Sequence, residues 1–154
     1  MTDTETRERG SITVSRVIKA PPERVYEAFL DPDQLAAWLP PTGFSATVHH
    51  LEPKEGGTFR ITFTGETEEF AAYDHSFGGT YLELVPGERI VHTDEFETDD
   101  PAMAGEMTVT ITFEEVPDGT KVTVHQAGIP VAIPSEDATA GWNDSLEKLA
   151  KLVG

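Results

Sequence analysis

Five polar side chains occupy positions at which the alternation of strand-like segments predicts apolar residues. These five residues are the first candidates for binding or catalysis in the sequence. They are Arg16, His50, His92, Asp94 and Gln126. In each run the apolar residues recur at every second position, the period of a half-buried strand, and the polar residue shares their parity. Burying an unpaired charge costs several kcal/mol, so Arg16 and Asp94 must be paired, lie at the wet end of a sheet or line a cavity.

Two interpretations of these inward polar residues stay open. In the structural interpretation they lie near strand ends and satisfy one another, Arg16 with Asp94 for example. In the functional interpretation they converge in an apolar cavity, which is the usual composition of a small-molecule site. Both interpretations can hold together.

Three residues are the candidates for catalysis. His92 and Asp94 are same-face neighbours about 7 Å apart along one strand, a spacing that allows general acid–base chemistry on a bound carbonyl compound. His75 precedes two glycines, Gly78 and Gly79, which allow a bulge or a close approach of backbones. Such a bend could turn His75 or Phe77 inward, and the alternative is a hairpin with an exposed histidine.

Motifs for other chemistries are missing. The sequence has no phosphate loop, dinucleotide fingerprint, nucleophile elbow or H-E-x-x-H motif. Among the five histidines, His49 and His50 point to opposite faces of one strand, and no pair has a diagnostic ligand spacing. We therefore expect neither a metal nor a cofactor.

The elements that position these residues can be followed along the chain. A strand over residues 11–18 is followed by two short helices, the first at residues 23–30 and the second after Asp31, which caps it together with Gln34. A meander of strands comes next, and a helix with one apolar stripe ends the chain at residues 135–153. The predicted strands of the meander are residues 44–51, 58–64, 80–85, 89–96, 106–114 and 120–127.

These elements predict an α+β fold. Tight turns separate most of the strands, so neighbours along the chain should pair antiparallel. Because the strands alternate, the sheet has one face to bury, and the long helix fits against its concave side. Residues 65–79 have no clear pattern, and residues 98–105 are predicted to be a loop.

Aromatic residues and one glycine of the last helix have two interpretations each. Trp38, Tyr81 and Trp142 can be core packing or ligand recognition, and packing is the commoner role. Glycine costs about 1 kcal/mol relative to alanine in a helix interior, so close packing or pocket space should explain Gly141.

Composition limits the class of protein. The 154 residues contain no Cys, which excludes disulfides, thiolate metal sites and cysteine nucleophiles. A net charge of −17 opposes binding to nucleic acids and anionic membranes. We expect a mobile tail at residues 1–10, one domain at residues 11–154, and a soluble, cytoplasmic monomer. Most of the charge should form a solvated shell, with Asp94 as the inward exception.

The sequence also resembles a known family over residues 11–153. The segments that carry the resemblance are APPERVYEAFLDPDQLAAWLPP, the Gly-Gly-x-Phe-Arg run at residues 56–60, GGTYLELVPGERIVHTDEF and GWNDSLEKLAKLV. Together they are similar to the activator of heat-shock-protein-90 ATPase homologue family, within the START-like or SRPBCC superfamily.

The resemblance implies the helix-grip fold of birch-pollen allergen and polyketide cyclases. In that fold a seven-stranded antiparallel sheet grips the C-terminal helix, and a deep cavity between them binds lipid-like or aromatic molecules. The resemblance transfers no reaction. Eukaryotic chaperone activators of the family carry an additional amino-terminal domain, where this chain has only the short tail, so we do not expect chaperone activation.

Three functions follow as hypotheses. The first is binding of a hydrophobic small molecule, lipid-like or polyketide-like, without a reaction. The second is an enzyme of the polyketide cyclase or dehydratase type that uses His92, Asp94 or His75 as acid and base. The third is a protein-interaction module such as a chaperone accessory. The predicted ligand-binding residues are Arg16, Trp38, His50, Phe59, Phe63, His75, Phe77, Tyr81, His92, Asp94, Met107, Val109, Gln126 and Trp142.

Overall fold

A computed structural model describes residues 10–154, which form one antiparallel sheet of seven strands. The strand order is β1-β7-β6-β5-β4-β3-β2, so every strand pairs with its neighbour in sequence except β1, which pairs with β7. The predicted antiparallel sheet is confirmed. The strands are β1 Gly10–Ile18, β2 Phe44–Leu51, β3 Thr58–Gly65, β4 His75–Val85, β5 Arg89–Phe96, β6 Met107–Val116 and β7 Gly119–Ile129.

Two short helices link the edge strands β1 and β2. They are α1 Pro22–Leu30 and α2 Pro32–Trp38. Asp31 separates them, and its Oδ1 accepts from the backbone N–H groups of Asp33 and Gln34 at 2.9 and 3.3 Å. The Gln34 side chain donates to the other carboxylate oxygen. This cap satisfies N–H groups that the start of a helix leaves unpaired.

The last helix, α4 Ser135–Val153, lies against the sheet and α2 and buries Ser145, Leu146 and Leu149. Its predicted bounds are confirmed. None of the helices in residues 10–154 has the length and apolar character needed to cross a membrane.

Two predicted boundaries differ from the structure. The predicted tail at residues 1–10 lies outside the described residues except for Gly10, which begins β1 opposite Ile129. The uninterpreted region 65–79 contains a one-turn helix, α3 Glu68–Ala71, and β4 begins at His75 rather than at residue 80. In this region Phe77 is buried and Phe70 half-buried whereas Tyr73 is exposed, so its apolar residues follow no single alternation.

The core fills the space between the sheet, α4 and the two short helices. Trp38 is fully buried, and its indole N–H donates to the Ala28 carbonyl at 2.9 Å. The Phe29 ring meets Trp38 edge to face at 4.7 Å. These contacts fix α1 and α2 against each other and form one end of the space beneath the sheet.

Candidate functional site

A cavity of about 340 Å³ lies between the concave face of the sheet and helices α2 and α4. Its volume falls within the usual range for small-molecule sites. Most of its wall is apolar and aromatic. The predicted apolar residues that line it are Trp38, Phe59, Phe63, Phe77, Tyr81, Met107 and Trp142.

The aromatic wall follows from strict alternation in β3. Phe59, Ile61 and Phe63 take every second position and all face inward. The ring centroids of Phe63 and Phe77 of β4 lie 4.9 Å apart in an edge-to-face contact, and those of Phe59 and Tyr81 lie 5.4 Å apart. Ring contacts at these centroid distances are favourable, so they stabilise the aromatic wall.

His92 faces the cavity from the centre of the sheet, between Tyr81 of β4 and Val109 of β6. Its Nδ1 lies 2.7 Å from the Thr93 carbonyl oxygen. Because a carbonyl only accepts, Nδ1 carries the proton and Nε2 keeps its lone pair. Burial lowers the pKa of His92 to about 4, so the ring is neutral at pH 7.

Asp94 lines the same cavity two residues further along β5, opposite Met107. The backbone N–H of Glu95 bonds to its carboxylate, but Oδ1 is enclosed and has no hydrogen-bond partner among residues 10–154. Burial raises the pKa of Asp94 to about 7. This carboxyl group can therefore gain or lose a proton near neutral pH.

Gln126 and Trp142 form the neighbouring polar contact, between β7 and α4. The Trp142 indole N–H donates to Gln126 Oε1 at 2.8 Å, which fixes the orientation of the amide because indole nitrogen only donates. The amide nitrogen then donates to Met107 Sδ at 3.1 Å. Gln126 is thus satisfied by protein groups on both sides.

His75 lines the cavity at the start of β4. Its Nδ1 lies 2.8 Å from the Tyr73 carbonyl, so this histidine also keeps its lone pair on Nε2. The ring contacts Phe63 and Phe96, each at 5.4 Å. His75 is therefore positioned by strand β4 and does not lie on an exposed hairpin.

Three predicted site residues do not line the cavity. Arg16 stands opposite buried Val122 and keeps the inward parity, yet its side chain is exposed because β1 is an edge strand from which a long side chain reaches water. No ion pair joins it to Asp94 within the described chain. Val109 is fully buried in the core, directly beside His92, and has no surface on the cavity.

His50 is the third, and a β-bulge explains it. The β2–β3 register shifts between Val48 and His50, so the parity reverses and Leu51 stands opposite inward Phe59. His50 is exposed, and its Nε2 lies 2.9 Å from Thr58 Oγ1 on the outer surface. The inward prediction for His50 is therefore wrong.

Gly141 is a functional feature that the sequence signalled only as an alternative. A Cβ added at this position would meet no atom of another element within 4 Å, and Gly141 lines the cavity. Pocket space, and not close packing, explains the glycine. Ile133, in the loop before α4, also lines the cavity and carried no sequence signal, whereas Ala138 belongs to the predicted apolar stripe of α4.

Metal coordination is not supported by this arrangement. In the part of the chain that the structure describes, no group of three or more His, Cys, Asp or Glu side chains could hold a metal ion.

A seven-stranded antiparallel sheet that wraps a C-terminal helix over an internal cavity defines the helix-grip fold of START-like, SRPBCC proteins. The chain belongs to the family described as Activator of Hsp90 ATPase homolog 1-like protein, whose model matches residues 19–154. Members of this family commonly bind hydrophobic ligands.

Solved structures agree with this assignment. Protein CV1439 from Chromobacterium violaceum is 48% identical, with a TM-score of 0.86 over 93% of this chain and 96% of that one. A protein from Rhodobacter sphaeroides is 23% identical, with a TM-score of 0.79 over 94% and 95% of the two chains, and shares the fold. A search of the curated proteins gives no significant match.

Proposed function

We propose that this protein binds a hydrophobic small molecule in the cavity between the sheet and α4. The observation that carries the proposal is the cavity itself, about 340 Å³ of space with a largely apolar and aromatic wall. Removing apolar surface from water is favourable by roughly 25 cal/mol per Å². A hydrophobic ligand that covers this wall is therefore stabilised by the burial of its own apolar surface and that of the wall.

Gly141 supports the same proposal. Alanine would stabilise the helix interior by about 1 kcal/mol and would meet no steric obstacle here. The glycine instead leaves space on the cavity side of α4. The proposal thus explains a residue that is unfavourable for the helix alone.

A side chain added at Gly141 tests the proposal. Gly141→Leu fills the cavity from α4, and Ala140→Leu adds the same side chain at the adjacent exposed position as a matched control. Amide chemical-shift titrations with a panel of hydrophobic compounds measure binding, and thermal melting checks the fold of each variant. We expect the wild type and Ala140→Leu to bind and Gly141→Leu to bind at least about tenfold more weakly, a loss of about 1.4 kcal/mol.

Two results would contradict ligand binding in this cavity. One is a wild-type protein that shows no cavity shift with any compound of the panel. The other is a folded Gly141→Leu variant whose affinities equal those of Ala140→Leu.

A second function, acid–base catalysis on a bound carbonyl compound, is favoured by one specific observation. The pKa of Asp94 lies at about 7, which is suited to proton transfer at neutral pH. His92 Nε2, two residues away on the same face, is an unprotonated acceptor. In this scheme Asp94 gives its proton to the carbonyl oxygen while His92 Nε2 takes the neighbouring C–H proton, which yields the enol.

Deuterium exchange tests this second function. The α-protons of 2-tetralone, a hydrophobic ketone, are followed by NMR in deuterated buffer with wild type and Asp94→Asn. Catalysis predicts faster exchange with the wild type and loss of that acceleration in Asp94→Asn while the ketone still binds. Equal exchange rates for both proteins would rule out Asp94 as the acid.

A further inference from the structure

We propose, on the basis of the proposed function, that the ligand is a neutral hydrophobic molecule that presents a hydrogen-bond donor, a hydroxyl or N–H group, to His92 and Asp94. The same site rejects hydrophobic carboxylates. The inference rests on which hydrogen-bonding atoms of the cavity are already used and which are open.

Three acceptors of the cavity have no hydrogen-bond partner among residues 10–154. Backbone carbonyls of Thr93 and Tyr73 fix the protons of His92 and His75 on Nδ1, so both rings present an Nε2 lone pair. Asp94 adds an enclosed oxygen without a hydrogen-bond partner among the described residues. A buried acceptor left without a partner is costly, so a ligand that donates here gains more than one that does not.

Three donors of the cavity wall are engaged by protein groups. The Trp142 N–H is bound by Gln126, whose own amide nitrogen donates to Met107. The Ser145 hydroxyl donates to the Leu39 carbonyl at 2.6 Å. A ligand that only accepts hydrogen bonds therefore competes with protein partners for each of these groups.

Tyr81 also lines the cavity and stands opposite His92 in the β4–β5 pair. Burial, together with Tyr26, raises the pKa of Tyr81, so its phenol stays protonated. Beside it, His92 Nε2 and Asp94 Oδ1 are acceptors without a hydrogen-bond partner among residues 10–154.

The charges around the cavity explain why the site rejects carboxylates. None of the cavity-lining residues in the range 10–154 is Lys or Arg, and Asp94 and Asp137 are the acidic residues among them. Arg60 is paired with Glu97 at 2.6 and 3.0 Å on the outer surface. An anionic ligand would thus be buried beside a carboxyl group and without a cation, which is unfavourable on both counts.

Three compounds with one skeleton separate these features. Naphthalen-2-ol donates a hydrogen bond, 2-methoxynaphthalene only accepts, and naphthalene-2-carboxylate is anionic. Affinities are measured by amide chemical-shift titration at about pH 7.5, where a phenol is neutral. We expect naphthalen-2-ol to bind about tenfold more tightly than 2-methoxynaphthalene, the ratio of one hydrogen bond to a buried acceptor, and the carboxylate to bind weakest.

A pair of histidine variants assigns the effect to the cavity. His92→Phe keeps the ring but removes the acceptor, and His50→Phe makes the same change at the exposed histidine of β2. We expect His92→Phe to reduce the preference for naphthalen-2-ol over 2-methoxynaphthalene at least about threefold and His50→Phe to leave it unchanged, because His92 lines the cavity and His50 does not.

The outcomes separate this inference from the proposed function. If the carboxylate binds as tightly as naphthalen-2-ol, or if the hydroxyl and methoxy compounds bind equally, the donor requirement is wrong while ligand binding stands. If none of the three compounds binds the wild-type protein, both fail. An unchanged preference in a folded His92→Phe variant also overturns the role of His92.

Discussion

Asp94 and Glu97 are two carboxylates three residues apart whose surroundings are opposite. Glu97 lies on the outer surface, where a two-pronged hydrogen bond from Arg60 lowers its pKa. Asp94 faces the cavity without a cation, and burial raises its pKa to about 7. The outer carboxylate is stabilised in its charged form, and the inner one is destabilised.

The difference shows which of the two carboxylates lowers the stability of the fold at neutral pH. A paired surface carboxylate is favourable or neutral for folding, whereas an unpaired inward carboxylate opposes it at neutral pH. Nothing in the packing of β5 requires an acid at position 94, because an apolar residue would suit the wall. Polar groups that are costly for the fold and open to a cavity are typical of functional sites.

The largest effect is expected from Asp94→Asn. The folded protein holds the Asp94 proton up to about pH 7, whereas the unfolded chain releases it near the ordinary value of 3.8. Stability from this group is therefore lost as pH rises from about 4 to 7. Asparagine removes the charge, so we expect Asp94→Asn to raise the free energy of unfolding at pH 8 by up to about 4 kcal/mol.

Urea denaturation at several pH values measures this effect. The advantage of Asp94→Asn should shrink as pH falls below 7 and disappear only well below pH 3.8, where the unfolded chain also holds the proton. A variant that is no more stable than wild type at pH 8 would show that the Asp94 carboxylate has a compensating partner.

Trp142→Phe is expected to have an intermediate effect. It removes the indole N–H that satisfies Gln126 and leaves Oε1 of a partly buried amide unpaired. We expect a loss of about 1–3 kcal/mol in the free energy of unfolding. Adding Gln126→Leu to Trp142→Phe removes both polar partners and should recover part of that loss, and strictly additive losses would contradict the coupling.

Glu97→Gln should have the smallest effect, although it is the same chemical change as Asp94→Asn. Its ion pair with Arg60 is exposed, with 47% and 43% of the two side chains accessible, so solvent screens it. We expect denaturation curves that nearly superimpose on those of the wild type at pH 8. A change as large as that of Asp94→Asn would remove the distinction between the two faces of the sheet.

Histidines 92 and 50 show how much of the site the sequence could predict. Both have inward parity within their runs, and parity alone places His92 correctly. His50 fails because the register shift in β2 reverses parity after Val48, and a bulge depends on strand pairing that one strand does not encode. Arg16 keeps its parity but reaches solvent from an edge strand, which depends on the order of strands.

The packing of helices and loops accounts for the rest of what the sequence could not predict. The order of elements and the antiparallel sheet follow from periodicity and turn residues, and both are confirmed. The size of the cavity depends on the distance between α4 and the sheet. The periodicity of a single helix or strand does not determine that distance. Gly141 carried the one local signal of that space, since a glycine inside a helix needs a reason.

Intermolecular nuclear Overhauser effects between naphthalen-2-ol and the protein test ligand binding in this cavity most directly. Binding in the cavity predicts contacts from the ring protons of the ligand to the Met107 methyl group of β6 and the Trp142 indole of α4, which both line the cavity. Contacts confined to exposed side chains such as Tyr73 and Leu82 would place the ligand on the outer surface and contradict the account.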